Sequence, residues 1–341
     1  MLRSKIMKTY EINEAKGIDS LKLTERATPK PGPGEVLMRV RAASLNYRDL
    51  AIVKGYLGGM LKLPVVPVSD GAGEVAEVGP GVTEWKKGDR VAAIFTQGWL
   101  AGPPFAGMYS TSLGGGIDGM LAEYVTLKAT GLVRIPDYLS FEEAATLPCA
   151  AVTSWQALVT EGHLKPGDSV LVMGTGGVSI FALQFAKMYG AKIIATSSSD
   201  AKLERLRKMG AAEVINYKTT PNWDARVLEL TDGAGVDHVV EIGGAGTLPK
   251  SINAVKTGGV VSLIGILSGA GQIDPMPLLF KNARVQGILV GSREMFEAMN
   301  RAMTVNQIHP VIDKVFPFYQ AAEAYRHLES GAHFGKVCIA I

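Results

Sequence analysis

The sequence is poor in cysteine: Cys149 and Cys338 are the two thiols in 341 residues. Two thiols make neither a disulfide framework nor a four-cysteine metal site, so both are expected to be reduced. It also lacks an apolar run of the roughly 18 residues that a membrane span needs. The opening Met1-Leu-Arg-Ser-Lys-Ile-Met-Lys has no uncharged core like that of a secretory signal. There is no low-complexity tract and no internal repeat with a period of roughly 20–50 residues. No single sign of charge dominates, since the formal net charge is +3 and the lysines and arginines are dispersed. A phosphate backbone demands a basic stripe, which excludes nucleic acid as a partner. Together these absences predict a cytoplasmic protein without membrane partners. What is present, 47% hydrophobic and 20% charged residues, is ordinary for a soluble globular chain, and the length suggests two domains.

The stretch Val170 to Ser199 organises the rest. Val170–Met173 is a short apolar run suited to a parallel strand buried on both faces, and Gly174-Thr175-Gly176-Gly177 follows directly. Val178, Phe181, Ala182, Phe185, Ala186 and Tyr189 then recur at helical spacing, which predicts a helix that starts inside the glycine loop and ends at Gly190. Lys192–Thr196 is a second apolar run. Strand, glycine turn, helix and strand in about thirty residues form a βαβ unit that can hold a dinucleotide. Its glycines admit a pyrophosphate, and the N–H groups of Gly177 and Val178 at the helix start receive its charge. Ser179 replaces the third glycine of the usual pattern and is small enough to keep the helix close to the sheet.

Further apolar runs at Glu213-Val-Ile-Asn-Tyr, His238-Val-Val-Glu-Ile, Val260-Val-Ser-Leu-Ile and Val285-Gln-Gly-Ile-Leu-Val bring the strands to six. With amphipathic helices between them they predict an α/β, doubly wound parallel sheet, with ligand at the carboxyl ends of the strands, where Gly243 and Gly265 stand. From Lys8 to about Ala145 the chain alternates in short strands and predicts a β-rich barrel or sandwich, interrupted by a helical patch at Arg48–Lys54. Ser140 and Glu143 form a capping box. The 24 residues from Thr96 to Gly119 carry seven glycines and read as a long irregular loop, either a lid over a pocket or a surface excursion. Met295–Thr304 and Ala321–Ser330 are helical, Lys336–Ile341 is a strand, and this tail is assigned back to the first domain. The expected domains are thus 1–149 with 290–341, and 150–289.

The motifs Pro33-Gly-Pro-Gly-Glu-Val, Asn46-Tyr-Arg-Asp49, Gly71-Ala-Gly-Glu-Val-Ala-Glu-Val-Gly, Lys87-Gly-Asp-Arg-Val, Ala122-Glu-Tyr-Val and Gly167-Asp-Ser-Val-Leu-Val-Met-Gly-Thr-Gly-Gly-Val together resemble the medium-chain dehydrogenase/reductases, essentially end to end. The branch they resemble most is that of the quinone oxidoreductases and zinc-independent alcohol dehydrogenase-like proteins. The resemblance implies a GroES-like catalytic domain, a Rossmann domain and hydride transfer in the cleft between them. It also implies a homodimer, which agrees with an apolar edge at the sixth strand. Zinc-dependent relatives place a Cys, a His and a Cys or Glu around the catalytic metal. Those positions here hold Asn46, Ser69 and Cys149, a set with a single competent ligand, so no metal is expected.

Cofactor choice is read at the end of the second strand. An NAD-specific unit puts a carboxylate about 20 residues past the glycines, and Ser197 stands there, 21 residues after Gly176. Ser198 and Lys202 add a hydroxyl and a cation, and Lys202 and Tyr217 match the Lys and Tyr that clasp the adenosine phosphate in NADPH-dependent quinone oxidoreductases. NADP(H) is therefore expected, with Asp200 as the contrary residue. Thr153 and Lys336 match family positions near the cofactor, although a solvated lysine is the safer reading of position 336. For chemistry, Asn46 is the expected carbonyl polariser, with Asp49 and Tyr56 on the same helix and loop and Tyr56 a candidate hydrogen-bond or proton donor. The expected activity is NADPH-dependent reduction of a small quinone or α,β-unsaturated carbonyl. A zinc-independent alcohol dehydrogenase or ketone reductase and a non-enzymatic dinucleotide-binding protein are the alternatives.

Overall fold

The computed structural model describes residues 6–56 and 61–341. The chain forms two compact units, Met1–Val152 with Gly291–Ile341, and Thr153–Val290. The first unit opens with an antiparallel hairpin, β1 (Ile6–Ile12) and β2 (Leu21–Ala27). Eleven-residue β3 (Glu35–Leu45) lies at the centre of the main sheet. It is flanked by β4 (Asp70–Val78), which continues to β5 (Arg90–Ala93), while β6 (Tyr124–Lys128) also pairs with β3 and β7 (Leu132–Arg134) closes on β5. Period-two alternation in β3 sends Val36, Met38 and Val40 into the core. Gly73 lets β4 lie against β3, because a Cβ there would stand 2.0 Å from the Arg39 carbonyl oxygen.

Two short helices belong to this half, α1 (Tyr47–Val53), directly after β3, and α2 (Phe141–Ala145). The latter starts on the capping box: Glu143 N donates to Ser140 Oγ at 3.2 Å, and Ser140 N donates to the Glu143 carboxylate at 2.8 Å. The Thr96–Gly119 stretch is more ordered than an irregular loop. Gln97 N donates to Thr111 O and Leu113 N to Phe95 O, both at 3.0 Å, and a 3-10 turn spans Met108–Thr111. Trp99 is buried at its base, with Nε1 donating to Gly102 O.

In the second unit α3 (Val152–Trp155) leads to β8 (Ser169–Met173), α4 (Gly177–Met188), β9 (Lys192–Ser197), α5 (Asp200–Met209), β10 (Glu213–Asn216) and α6 (Trp223–Leu230). The chain continues through β11 (Val236–Glu241), α7 (Leu248–Ala254), β12 (Val255–Leu263), α8 (Met276–Lys281) and β13 (Arg284–Gly287). The six strands are parallel in the order β10-β9-β8-β11-β12-β13. Reversal of the winding between β8 and β11 leaves a crevice at their carboxyl ends, which is where such sheets take their ligand. Val170, Leu171 and Val172 are fully buried, as a strand covered on both faces requires. Gly190 at φ 74° and Gly210 at φ 116° end α4 and α5, a conformation that costs glycine no Cβ clash. The sixth strand is shorter than its apolar pattern suggests. Pairing stops at Gly287, Leu289 is half exposed and Val290 turns to φ 39°.

After the second unit the chain supplies α9 (Arg293–Asn306), β14 (Ile312–Pro317), α10 (Ala321–Glu329) and β15 (Lys336–Ala340) to the first. The sequence reading did not mark β14. It lies parallel to β15, which pairs antiparallel with β3, so the main sheet runs β14-β15-β3-β4-β5-β7.

Candidate functional site

The carboxyl end of β3 is the point on which three buried charged residues of the first unit, Asp49, Asp70 and Lys336, converge. Register explains why: Ser44 lies opposite Asp70 of β4 on one side and opposite Cys338 of β15 on the other. The adjoining residues Asn46, Asp70 and Lys336 are thereby brought to one spot. Lys336, 3% exposed, donates from Nζ to Leu45 O at 2.6 Å and to Asn46 Oδ1 at 2.5 Å. It is not a solvated lysine: its ammonium is buried and tied to Asn46.

Asp70 is fully buried, accepts from Ser69 Oγ at 2.7 Å and from Cys149 N at 2.9 Å, and faces Lys336. Burial raises its pKa, against the pull of the Lys336 ammonium and the neighbouring donors Ser69, Asn46 and the Cys149 backbone N. The buried Nδ2 of Asn46 is turned to this carboxylate without a hydrogen bond of regular geometry. Cys149 sits in a π-helical turn, Leu147–Ala151, and burial pushes its thiol pKa well up.

Asn46 also begins α1. Its backbone N donates to the Asp49 carboxylate at 2.8 Å, closing the first helical turn. Asp49 is fully buried, and burial raises its pKa to about 6 despite the nearby Arg48. Arg48 Nη1 lies 3.4 Å from Asp49 Oδ1, donates to Leu113 O at 2.8 Å, and its guanidinium sits 4.7 Å from the Phe95 ring centroid. The Thr96–Gly119 segment is thus fastened to α1 by one arginine. Asp49 is enclosed by the helix start. Tyr56 stands apart, 70% exposed beyond the helix end, with the Lys54 ammonium 5.9 Å from its ring centroid.

Among the described residues, no three His, Cys, Asp or Glu are grouped to hold a metal ion. Of the set that corresponds to a zinc site, Asn46 Oδ1 is occupied by an ammonium and the Ser69 hydroxyl donates to Asp70, which leaves Cys149 as a single competent ligand. These donors do not fit zinc, which needs a thiolate or other anionic or imidazole ligands with free lone pairs.

In the second unit the glycine loop has the form its composition requires. Gly174 follows β8 at φ 75°, and Gly176 caps α4 in extended backbone. A Cβ on Gly176 would meet nothing within 4 Å, so the loop leaves an open cradle before the helix. The amides of Gly177 and Val178 lie in the first turn, where N–H groups have no intrahelical acceptor. Ser179 is buried and donates to Met173 O at 2.6 Å, which satisfies the hydroxyl that replaces a glycine. Gly243 and Gly265 are required by close packing within the chain: a Cβ would stand 2.3 Å from Thr247 Oγ1 at the former and 2.1 Å from Ile242 O at the latter. Thr153 is buried on α3, next to Ser154, whose hydroxyl donates to Val178 O at 2.8 Å.

At the end of β9, Ser197 Oγ accepts from Ser199 N at 3.3 Å, and Ser199 caps α5 by accepting from Lys202 N. Ser198 lies in the turn between them. Tyr217 stands just past β10, partly exposed, its backbone N donating to Ser197 O at 3.1 Å. Sequence reasoning missed Asp70, Arg48 and the partners of Lys336. A charged residue inside the apolar run Val65–Ala72 was the available signal for Asp70; nothing local announced the others.

Comparison with known proteins agrees with this architecture. Residues 32–137 match the family model described as alcohol dehydrogenase GroES-like domain, and residues 177–304 that of zinc-binding dehydrogenase. A zinc-type alcohol dehydrogenase-like protein of Schizosaccharomyces pombe is 49% identical over 96% of this chain and 97% of its own length. A human quinone oxidoreductase is 29% identical over 96% of this chain and 95% of its own. Among solved structures, one titled a putative alcohol dehydrogenase from Sinorhizobium meliloti 1021 superposes with a TM-score of 0.94 at 42% identity, covering 100% of both chains. Another, titled an NAD-dependent alcohol dehydrogenase, gives 0.89 at 35% identity over 98% of this chain and 100% of its own.

Proposed function

Since the chain belongs to the medium-chain dehydrogenase/reductase superfamily, and so is an oxidoreductase with a fold that binds a nicotinamide dinucleotide, we propose that it reduces quinones or α,β-unsaturated carbonyls with NADPH and without a metal. The observation that carries this reading is the seat of the Lys336 ammonium on Asn46 Oδ1. It supplies a fixed positive charge where a zinc enzyme of the family needs free ligand lone pairs. The zinc-binding name of the matching family model therefore describes the family and not the donor set of this chain.

The dinucleotide, when bound, supplies the hydride. The chain's own part is to place it and to prepare the carbonyl. Gly174, Gly176 and Gly177 with the Val178 amide would take the pyrophosphate at the open helix start. Ser197, Ser198, Lys202 and Tyr217 would take the 2′-phosphate, and no carboxylate stands at position 197 to select a ribose hydroxyl. Thr153 would line the nicotinamide side. In the first unit Lys336 holds Asn46 by its oxygen, so only Nδ2 of that amide can donate, and because that atom is buried and faces Asp70, Asn46 would polarise a carbonyl oxygen only once Nδ2 turns from the carboxylate. Asp49 positions Asn46 through its backbone N, and the Tyr56 hydroxyl, exposed beyond the helix end, would supply the proton to a substrate that reaches it.

The likeness to a zinc-type alcohol dehydrogenase-like protein at 49% identity favours a second reading, a metal-free alcohol dehydrogenase or ketone reductase on the same scaffold. Turnover of an enone, a quinone, a ketone and an alcohol with each cofactor separates the two. Activity confined to ketone and alcohol would establish the second reading, and turnover of none would sink both.

A further inference from the structure

Asp200 is a carboxylate near the turn that would read the 2′ position, three residues past Ser197 and first in α5. Left to itself, an anion there would repel a 2′-phosphate and could accept from a ribose 2′-hydroxyl. It is not left to itself. Asn216 Nδ2 donates to Asp200 Oδ1 at 2.6 Å, and the orientation of that amide is dictated by its other end, since Asn216 Oδ1 accepts from Lys218 N at 3.0 Å. Parallel pairing of β9 and β10 sets Asn216 directly beside Ser197, so the restraint lies alongside the selecting position. The turn is closed by Ser197 Oγ taking Ser199 N and Ser199 Oγ taking Lys202 N, so the backbone holding Asp200 cannot easily redirect it.

We propose that Asn216 is a specificity-determining residue that ties back the Asp200 carboxylate and so keeps the turn open to the 2′-phosphate of NADPH. This deepens, and rests on, the reading of the chain as NADPH-dependent. Neither residue touches the reacting atoms; the effect is on which dinucleotide binds.

The test is titration of NADPH and NADH, by quenching of protein fluorescence or calorimetry, into the full chain and three variants: Asn216→Ala, Asp200→Asn and the double variant. Circular dichroism and melting temperature confirm that each is folded. Asn216→Ala should lower the NADPH-to-NADH affinity ratio by about tenfold through the freed carboxylate. Asp200→Asn should leave the ratio unchanged or raise it, and the double variant should return to it, because no charge remains to be tied back. A ratio unchanged in Asn216→Ala overturns the proposal. So does an equal fall in the double variant, which would mean that Asn216 acts on the cofactor or the fold by itself. The unmodified protein reports separately on the parent reading: if it binds NADH as tightly as NADPH, the NADPH assignment fails. A shift in ratio that depends on Asp200 would still sustain the tie, and its absence would still refute it.

Discussion

Lys336, at the start of the last strand, donates to the side-chain oxygen of Asn46, 290 positions earlier in the chain, at 2.5 Å. This contact joins the two ends of the first unit and settles which way the Asn46 amide points. It also leaves the buried Asp70 with a cation to face.

Lys336→Met should therefore be costly. Removing the ammonium takes the donor from two acceptors, Leu45 O and Asn46 Oδ1, at about 1–3 kcal/mol each. Urea unfolding should show the unfolding free energy falling by that amount, and kcat should drop while the affinity for the dinucleotide stays. An unchanged unfolding free energy would mean that Leu45 O and Asn46 Oδ1 find another donor.

Asp49 predicts a pH dependence. Its carboxyl is raised from 3.8 to about 6 in the folded chain, so folding favours its protonated form. The associated stability is fully present below about pH 3.8 and is lost as pH rises through 6. A shift of this size corresponds to roughly 2–3 kcal/mol. Asp49→Asn keeps an oxygen to accept from the Asn46 amide and should flatten the stability profile between these limits; a profile as steep as that of the parent would refute the assignment.

At the cofactor turn, the unmodified protein should prefer NADPH over NADH by roughly one to three orders of magnitude, from charge-assisted hydrogen bonds of about 1.5–3 kcal/mol each. Ser197→Asp should shrink or invert that preference. Lys202→Ala should weaken NADPH and spare NADH, as measured by binding isotherms; equal weakening of both would remove the 2′-phosphate site from these residues.

Protein prepared without added zinc should contain well under one zinc per chain by atomic emission, and chelators should leave its turnover intact. Stoichiometric zinc lost together with activity would contradict the reading of Asn46, Ser69 and Cys149.

The edge strand β13 with the exposed Ile266, Leu279, Phe280 and Leu289 predicts pairing of two copies through this edge. Light scattering at micromolar concentration should give twice the 36.2 kDa of one chain. Leu289→Glu should shift the mass toward the single chain, whereas a parent protein already monomeric would end the idea.

Residues close in sequence carried much of this architecture. The parallel strands, the glycine turn, the capping box and the helix ends at Gly190 and Gly210 all follow from patterns a few residues long, because backbone propensity and hydrophobic periodicity act over one or two turns. The serine in place of a carboxylate at position 197 is likewise a one-residue fact. Local pattern failed where strand pairing and burial intervened, as in the shortened β13 and the unmarked β14.

The charge pairs were illegible for a different reason. Lys336 carries the same side chain whether it is solvated or buried; its environment comes from the antiparallel register of β15 with β3, which brings Val337 opposite Leu45. Asp70 reaches the same point through the β3–β4 register, and Asp200 meets Asn216 because β9 and β10 lie side by side. Composition and spacing made a dinucleotide fold and named the residues available to it. Which of them face each other, and hence which charges are neutralised, oriented or held back, was decided by sheet register between segments too far apart for any local pattern to couple.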